Sequence, residues 1–405
     1  MSAAVAARLD IFSAESKANP FGAFARHRAE EPVFCTALPG KMSAWLVTRY
    51  DDVSQLLKDP RFAKNRYTAM TPEQLKKLPW VPPMFRPLER NMLDLDPPDH
   101  TRLRDLVHKA FTPRLIERMR ARVQSLADEL LDKVAKKGQM DLIRDYALPL
   151  PMTIITEILG VPARDHEKFH KWSKVLVAAD QVTGGWRILP AMFMFIRYLR
   201  RFFKARRADP KDDLASALID AEQAGDRLSE DELLAMVILL LVAGHETTVN
   251  LIGNGMLELL RHQGELDRLR AEPTLIKTAV EELLRFTSPV FMSTERYARE
   301  DVAIQGVTIP RGQLVFGVIG SANRDESVFE NPDRLDIGRE PNKHLAFGLG
   351  AHYCLGAPLA RLEAQIAIDT LLRRMPRLRL RSAPETLKWR PSLVLRGLDA
   401  LPVLL

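Results

Sequence analysis

The chain has 405 residues, 46% hydrophobic and 27% charged, an ordinary globular composition with enough apolar residues for a large core. Its formal charge is +7, but acidic residues are interspersed almost throughout and no nucleic-acid motif appears. The basic balance therefore reads as a solvated surface, not a nucleic-acid face. Two cysteines, Cys35 and Cys354, exclude a disulfide framework and fit a reducing compartment.

Met1 to Phe12 has neither a basic nor an apolar signal-peptide region. The longest apolar run, Leu233 to Ala243, is shorter than the ~20 residues that cross a bilayer. A cytoplasmic protein without a stable membrane anchor is expected. No Ser/Gly-rich linker, low-complexity tract or repeat divides the chain, so one domain over 1–405 is expected, with about 1–19 a flexible N-terminal segment.

In chain order, Asn19 to Glu30 reads as a short helix. Val33 to Thr36 and Ala44 to Thr48 read as a hairpin around Pro39-Gly40, followed by a helix from Asp51 to Lys58. Pro79 to Pro87 is rich in proline and aromatics, which rules out regular structure. In Asp96-Pro97-Pro98-Asp99-His100-Thr101-Arg102-Leu103-Arg104 the prolines end that loop, and Asp99 or Thr101 is placed to cap a helix to Phe111. His100 and Arg104, at i and i+4, then share one face suited to a carboxylate. Helical periodicity continues over Pro113 to Lys137, Pro149 to Gly160, Arg164 to Ala179 and Pro190 to Arg207. The last of these pairs an aromatic, Met-rich half with a basic half, fitting a membrane surface or an acidic partner.

Ser229-Glu230-Asp231-Glu232 is a capping box, and the helix it opens extends to about His262, with Gly264 as its stop. Its first half is apolar all round and must be buried. Within it, Ala243 and Gly244 leave space beside the helix, while Glu246 and Thr247 place polar groups where packing alone wants none. Glu282 and Arg285 are an i, i+3 pair. Val302 to Ile309 and Gln313 to Ile319 read as a hairpin, and Leu378 to Leu404 as short strands with turns. In Phe347-Gly348-Leu349-Gly350-Ala351-His352-Tyr353-Cys354-Leu355-Gly356, glycines permit a tight turn and close approach to a flat ligand. A helix begins at Ala357-Pro358. Its unpaired N–H groups and dipole favour a thiolate at Cys354, hence a metal ligand or a nucleophile.

The pattern F-x-x-G-x-H-x-C-x-G resembles the cysteine loop of the cytochrome P450 superfamily of haem-thiolate monooxygenases, in its soluble bacterial form. The resemblance extends from about Pro20 to the C-terminus. It implies a mainly α fold with small β-sheets and haem b between the long central helix and the cysteine loop. Cys354 would be the axial iron ligand, with Phe347 shielding its sulfur and Gly356 completing the loop. His100, Arg104, Arg296 and His352 would take the propionates, and Ala243 and Gly244 would border the haem. Ala243-Gly244-His245-Glu246-Thr247-Thr248 resembles the oxygen-activating motif, with Glu246 and Thr247 catalytic. Glu282, Arg285 and Arg334 would form the structural ion pair. Ala322-Asn323-Arg324-Asp325 matches as well, with Glu326 where the family has proline.

The activity that the resemblance implies is that of a monooxygenase hydroxylating or epoxidising a largely apolar small molecule. Met84, Phe85, Leu240, Ala243, Val290, Phe291 and Val394 are the expected pocket wall, with Ser392 to Leu395 projecting toward it. NAD(P)H would supply electrons indirectly through a ferredoxin reductase and a ferredoxin. The ferredoxin would be steered by a basic face of Arg102, Lys109, Arg114, Arg118 and Lys343. A monomer is expected. A peroxide-using peroxygenase of the same fold and a non-catalytic haem gas sensor are the alternatives; the Glu246-Thr247 pair argues against both.

Overall fold

The computed structural model describes residues 13–38, 42–76, 78, 90–169, 171–172, 185–223 and 228–405. The Pro79 to Pro87 loop, with Met84 and Phe85, lies outside the described residues, as do 1–12 and much of the expected Arg164 to Ala179 helix. The chain divides into two compact units. One comprises Met1–Leu78, Asn254–Cys354 and Ser382–Asp399; the other comprises Pro79–Gly253, Leu355–Arg381 and Ala400–Leu405.

The first unit is built on a five-stranded sheet in the order Val33–Ala37, Ser43–Val47, Leu314–Gly317, Arg296–Ala298, Phe62–Ala63. The expected first hairpin forms, with Cys35 opposite Trp45. Alternation sorts its side chains to two faces. Val33, Val47 and Val315 cluster with Val53 and Leu56 of the Tyr50–Lys58 helix. Phe34, Leu46 and Phe316 cluster with Phe24 of the Phe21–Glu30 helix. The second expected hairpin is corrected. Val302–Ile304 pairs with Val307–Ile309, while Leu314–Gly317 lies parallel to Ser43–Val47 and antiparallel to Arg296–Ala298. Leu314–Gly317 thus lies in the middle of the sheet, with strands paired on both of its edges.

The N-terminal segment also makes defined contacts. Ala14–Ala18 is a helix; the Lys17 ammonium donates to the Ser392 carbonyl, and Arg396 donates to the Ala18 carbonyl at 3.0 Å.

The second unit is mainly helical. Ala357–Arg374 packs on Pro113–Ala135 through the Gln124–Thr370 hydrogen bond at 3.0 Å and Arg374 on Asp128 at 3.0 Å. Gln139–Asp141, Pro402–Leu404 and Arg379–Leu380 form a small sheet.

The long helix is Glu230–Arg261. Its capping box is present: Ser229 N–H donates to Glu232 at 2.8 Å and Glu232 N–H to Ser229 Oγ at 3.2 Å. It is long and apolar enough to cross a membrane, but 61% of its most apolar stretch is buried in protein. Two boundary expectations change. The helix breaks at His262, and Gly264 lies inside the next helix, Gln263–Ala271. The Asp99–Ala110 helix is preceded by Pro98 with no side-chain cap, so neither Asp99 nor Thr101 serves as one.

Candidate functional site

In the first unit, the cysteine loop is shaped by Gly348 at φ 70° and Gly350 at φ 72°, left-handed conformations that glycine alone adopts without cost. A Cβ on Gly350 would also stand 3.1 Å from the Leu57 carbonyl oxygen. Gly348 N–H donates to Leu345 at 2.8 Å, Tyr353 N–H to Gly350 at 3.1 Å, and Cys354 N–H to the Phe347 carbonyl at 2.9 Å. That last bond closes the loop and brings Phe347 to Cys354. The Phe347 ring lies 6.0 Å from His344 and 6.3 Å from Tyr353. Cys354, His352 and Gly356 are half-buried, and Cys354 is in no disulfide.

Arg296 is buried on its strand, donating to the Leu57 carbonyl at 3.1 Å and more weakly to that of Phe62 at 3.4 Å. Val290 and Val394 are half-buried. Phe291 is placed differently from the pocket-wall expectation. Its N–H donates to the Val394 carbonyl at 2.7 Å, and its ring lies 5.5 Å from Phe24 and 6.0 Å from Phe21. At 5% exposure it is part of the sheet's core.

The structural ion pair is present, with one member corrected. Glu282 and Arg285, both fully buried, form a two-pronged pair at 2.8 Å. Arg285 also donates to the carbonyls of Asn323 and Pro332, each at 2.9 Å. Arg334 contributes its carbonyl to Arg285 at 3.3 Å, and its side chain is exposed. The second guanidinium on Glu282 is that of Arg339, at 3.2 Å. The turns between Asn331 and Arg339 carry that later arginine back to the acid.

In the second unit, Leu240, Ala243, Gly244 and Thr247 lie at i, i+3, i+4 and i+7 on the long helix, hence on one face. Ala243 is exposed and the other three half-buried, whereas Leu241 and Val249 are buried. A core helix thus carries an open strip of small and apolar side chains. Gly244 also serves packing, since a Cβ there would stand 3.0 Å from Ile155. Thr247 Oγ1 donates to the Ala243 carbonyl at 3.0 Å. Glu246 is 5% exposed, and its Oε2 lies 3.7 Å from His245 Nε2. His100, 1% exposed, and half-buried Arg104 share a face of Asp99–Ala110 as expected. Arg102 is taken from the expected basic face, because it binds Glu232 at 2.5 Å.

Glu363 belongs to none of the motifs read from the sequence. It is fully buried in the Ala357–Arg374 helix. Thr248 is its polar neighbour, but neither carboxyl oxygen makes a hydrogen bond of ordinary geometry. Burial therefore pushes its carboxyl well above the usual range. A signal existed: Glu363 interrupts the stripe of Leu359, Ile366 and Ala367, where helical period calls for apolar residues.

Among the described residues, no group of three or more His, Cys, Asp and Glu side chains is placed to hold a bare metal ion. Within the first unit, a cysteine on a glycine-shaped loop and the buried Arg296 are groups that suit a metal macrocycle bearing carboxylates; within the second, the open strip of small residues suits a flat one.

The family model described as Cytochrome P450 matches residues 186–394. The polyketide biosynthesis cytochrome P450 PksS of Bacillus subtilis is 47% identical over 389 residues, 95% of each chain. Its solved structure superposes with a TM-score of 0.90 over 97% of this chain and 98% of that one. Cytochrome P450 107B1 of Saccharopolyspora erythraea is 48% identical over 94% of this chain and 93% of its own. The myxobacterial cytochrome P450 CYP267B1, in complex with myristic acid, has a TM-score of 0.90 and 43% identity, covering 98% of both chains.

Proposed function

The chain belongs to the cytochrome P450 family, and from that premise we propose that it hydroxylates or epoxidises a largely apolar small molecule, with electrons from a separate ferredoxin and ferredoxin reductase. The family's members are haem monooxygenases, and the cofactor is haem b. When bound, the haem supplies oxygen activation, placing one atom of O₂ in the substrate and releasing the other as water.

The chain's own residues divide the remaining work. Cys354 would be the iron ligand, and its backbone N–H bond to Phe347 holds the loop that carries it. His100, Arg104, Arg296 and His352 would hold the propionates, and Ala243, with its small side chain, would leave room for a flat ring. Thr247 spends its only hydroxyl proton on the Ala243 carbonyl, so its oxygen accepts from a proton-bearing group on the open strip. Glu246, one residue earlier and buried, stores and moves the proton.

The open strip of Leu240, Ala243, Gly244 and Thr247 beside buried Glu246 carries the reading, since it combines apolar walls with a proton path. Leu240, Val290 and Val394 suit an apolar substrate, a reading supported by the myristic acid in the CYP267B1 structure and by the polyketide role named for PksS. Each unit is assembled from separated stretches of the chain, which suits a single domain, and a cytoplasmic monomer completes the reading. Screening a lipophilic library for Soret shifts identifies ligands, and turnover of the hits is then compared with NADPH, reductase and ferredoxin, or with peroxide alone. Product only with peroxide would contradict the proposal.

A further inference from the structure

We infer that His344 is a positioning residue of the cysteine loop: its imidazole ties the Ile276–Thr287 helix to the first turn of the loop and so steadies the backbone that presents Cys354. This role rests on the reading of Cys354 as the iron ligand. Every residue it involves belongs to the first unit.

The stem of the loop is anchored at four successive residues. Asn342 Nδ2 donates to Glu282 at 3.1 Å, and the Lys343 carbonyl accepts from the Tyr50 hydroxyl at 2.6 Å. His344 Nε2 lies 3.0 Å from Glu281 Oε2, and Leu345 N–H donates to Asn323 Oδ1 at 2.8 Å. His344 differs from the other three because its second ring nitrogen reaches forward into the loop. There Nδ1 accepts the Ala346 N–H at 3.2 Å.

These two contacts fix the tautomer. A backbone N–H only donates, so Nδ1 presents its lone pair and the ring hydrogen sits on Nε2. Nε2–H then donates to Glu281, and giving that hydrogen to a carboxyl oxygen makes Nδ1 the better acceptor. The ring is a rigid spacer with a side chain only 4% exposed. It carries the hold of a helix to one backbone amide.

That amide sits one residue before the closure of the loop. Phe347 follows Ala346; its carbonyl accepts the Cys354 N–H at 2.9 Å, and its ring lies 6.0 Å from that of His344. Releasing the Ala346 N–H therefore loosens the residue that closes the loop on Cys354, and thiolate ligation is lost sooner. The Asn323 bond to Leu345 does not involve the imidazole, so a His344 variant gives up this tie and keeps the stem.

Decay of the red-shifted carbon monoxide band of the ferrous holoenzyme in mild urea tests this. His344→Phe keeps a ring beside Phe347 but has no nitrogen. His344→Asn keeps an acceptor for the N–H two residues on, the bond of an Asx turn, and falls short of Glu281. The band should decay about 10-fold faster than wild type in His344→Phe, and within about 3-fold of wild type in His344→Asn. In the ¹⁵N-histidine-labelled ferrous carbonyl wild type, the His344 resonances are assigned by their absence from His344→Asn. They should show a bare Nδ1 and a protonated Nε2, and the Nε2 resonance should move in Glu281→Gln. Decay in His344→Phe no faster than in His344→Asn overturns the positioning role. So does a protonated Nδ1, or a Nε2 resonance indifferent to Glu281→Gln. A wild type that never shows the band removes the Cys354 reading itself, and the role of His344 with it.

Discussion

Thr247 Oγ1 donates to the carbonyl of Ala243 at 3.0 Å, one turn back on the same helix. The hydroxyl thus faces the open strip as an acceptor, fixed in direction by a backbone atom. Thr247→Ala and Thr247→Val both remove that acceptor without touching Cys354. Each should keep haem and substrate binding while product per NADPH oxidised falls by about 10²-fold and hydrogen peroxide accumulates. Measuring product, NADPH and peroxide together checks this; full coupling in both variants would withdraw the role.

The Glu282 cluster makes a ranked prediction. Glu282→Ala leaves the buried Arg285 guanidinium without its partner and should cost about 3–5 kcal/mol. Arg339→Ala loses a charged hydrogen bond at the edge of the cluster, about 1–3 kcal/mol. Arg334→Ala retains the carbonyl that Arg285 uses and should stay within about 0.5 kcal/mol. Urea unfolding of the three variants tests the ranking, and an Arg334 effect above that of Arg339 would contradict it.

Glu363 gives a pH dependence. Its carboxyl is raised in the folded protein above the ordinary value of 4.5, so above that pH the folded chain retains a proton that the unfolded chain has lost. Its contribution is fully present below pH 4.5 and declines as pH rises, at up to about 1.4 kcal/mol per pH unit, until the folded carboxyl itself ionises. Glu363→Gln keeps the shape and removes the titration. The variant's stability should therefore gain on wild type as pH rises from 5 to 7. Parallel stability curves would mean that Glu363 is ionised in the folded state.

For the electron donor, Arg114 and Lys109 remain exposed in the second unit, whereas Arg118 pairs with Asp212 at 3.4 Å and Arg102 with Glu232. Reduction by an acidic ferredoxin should slow as ionic strength rises past about 0.1 M, where the Debye length is about 10 Å. Arg114→Glu should raise the ferredoxin KM with little change in kcat. A rate indifferent to salt would remove the electrostatic part of the account.

What the sequence disclosed was local. The glycines around Cys354, the Ser229–Glu232 capping box and the polar pair in an apolar helix declare themselves within a few residues. What it hid was set by distant pairing. Ser288 ends its helix in a left-handed conformation at φ 43°, after which no period governs the chain. Phe291 is then directed into the core as its backbone pairs with Val394. Arg339 takes the place expected of Arg334 because the turns after Asn331, not a helical spacing, decide which guanidinium reaches Glu282. The partner of Leu314–Gly317 lies on a strand far earlier in the chain, beyond the reach of hairpin logic.

The central claim is that Cys354 ligates the haem iron, and the carbon monoxide difference spectrum of the reduced protein tests it most directly. Wild type should show the red-shifted Soret band of thiolate ligation. Cys354→His should lose that shift while retaining haem by pyridine haemochrome assay. A red-shifted band that survives unchanged in Cys354→His would contradict the account.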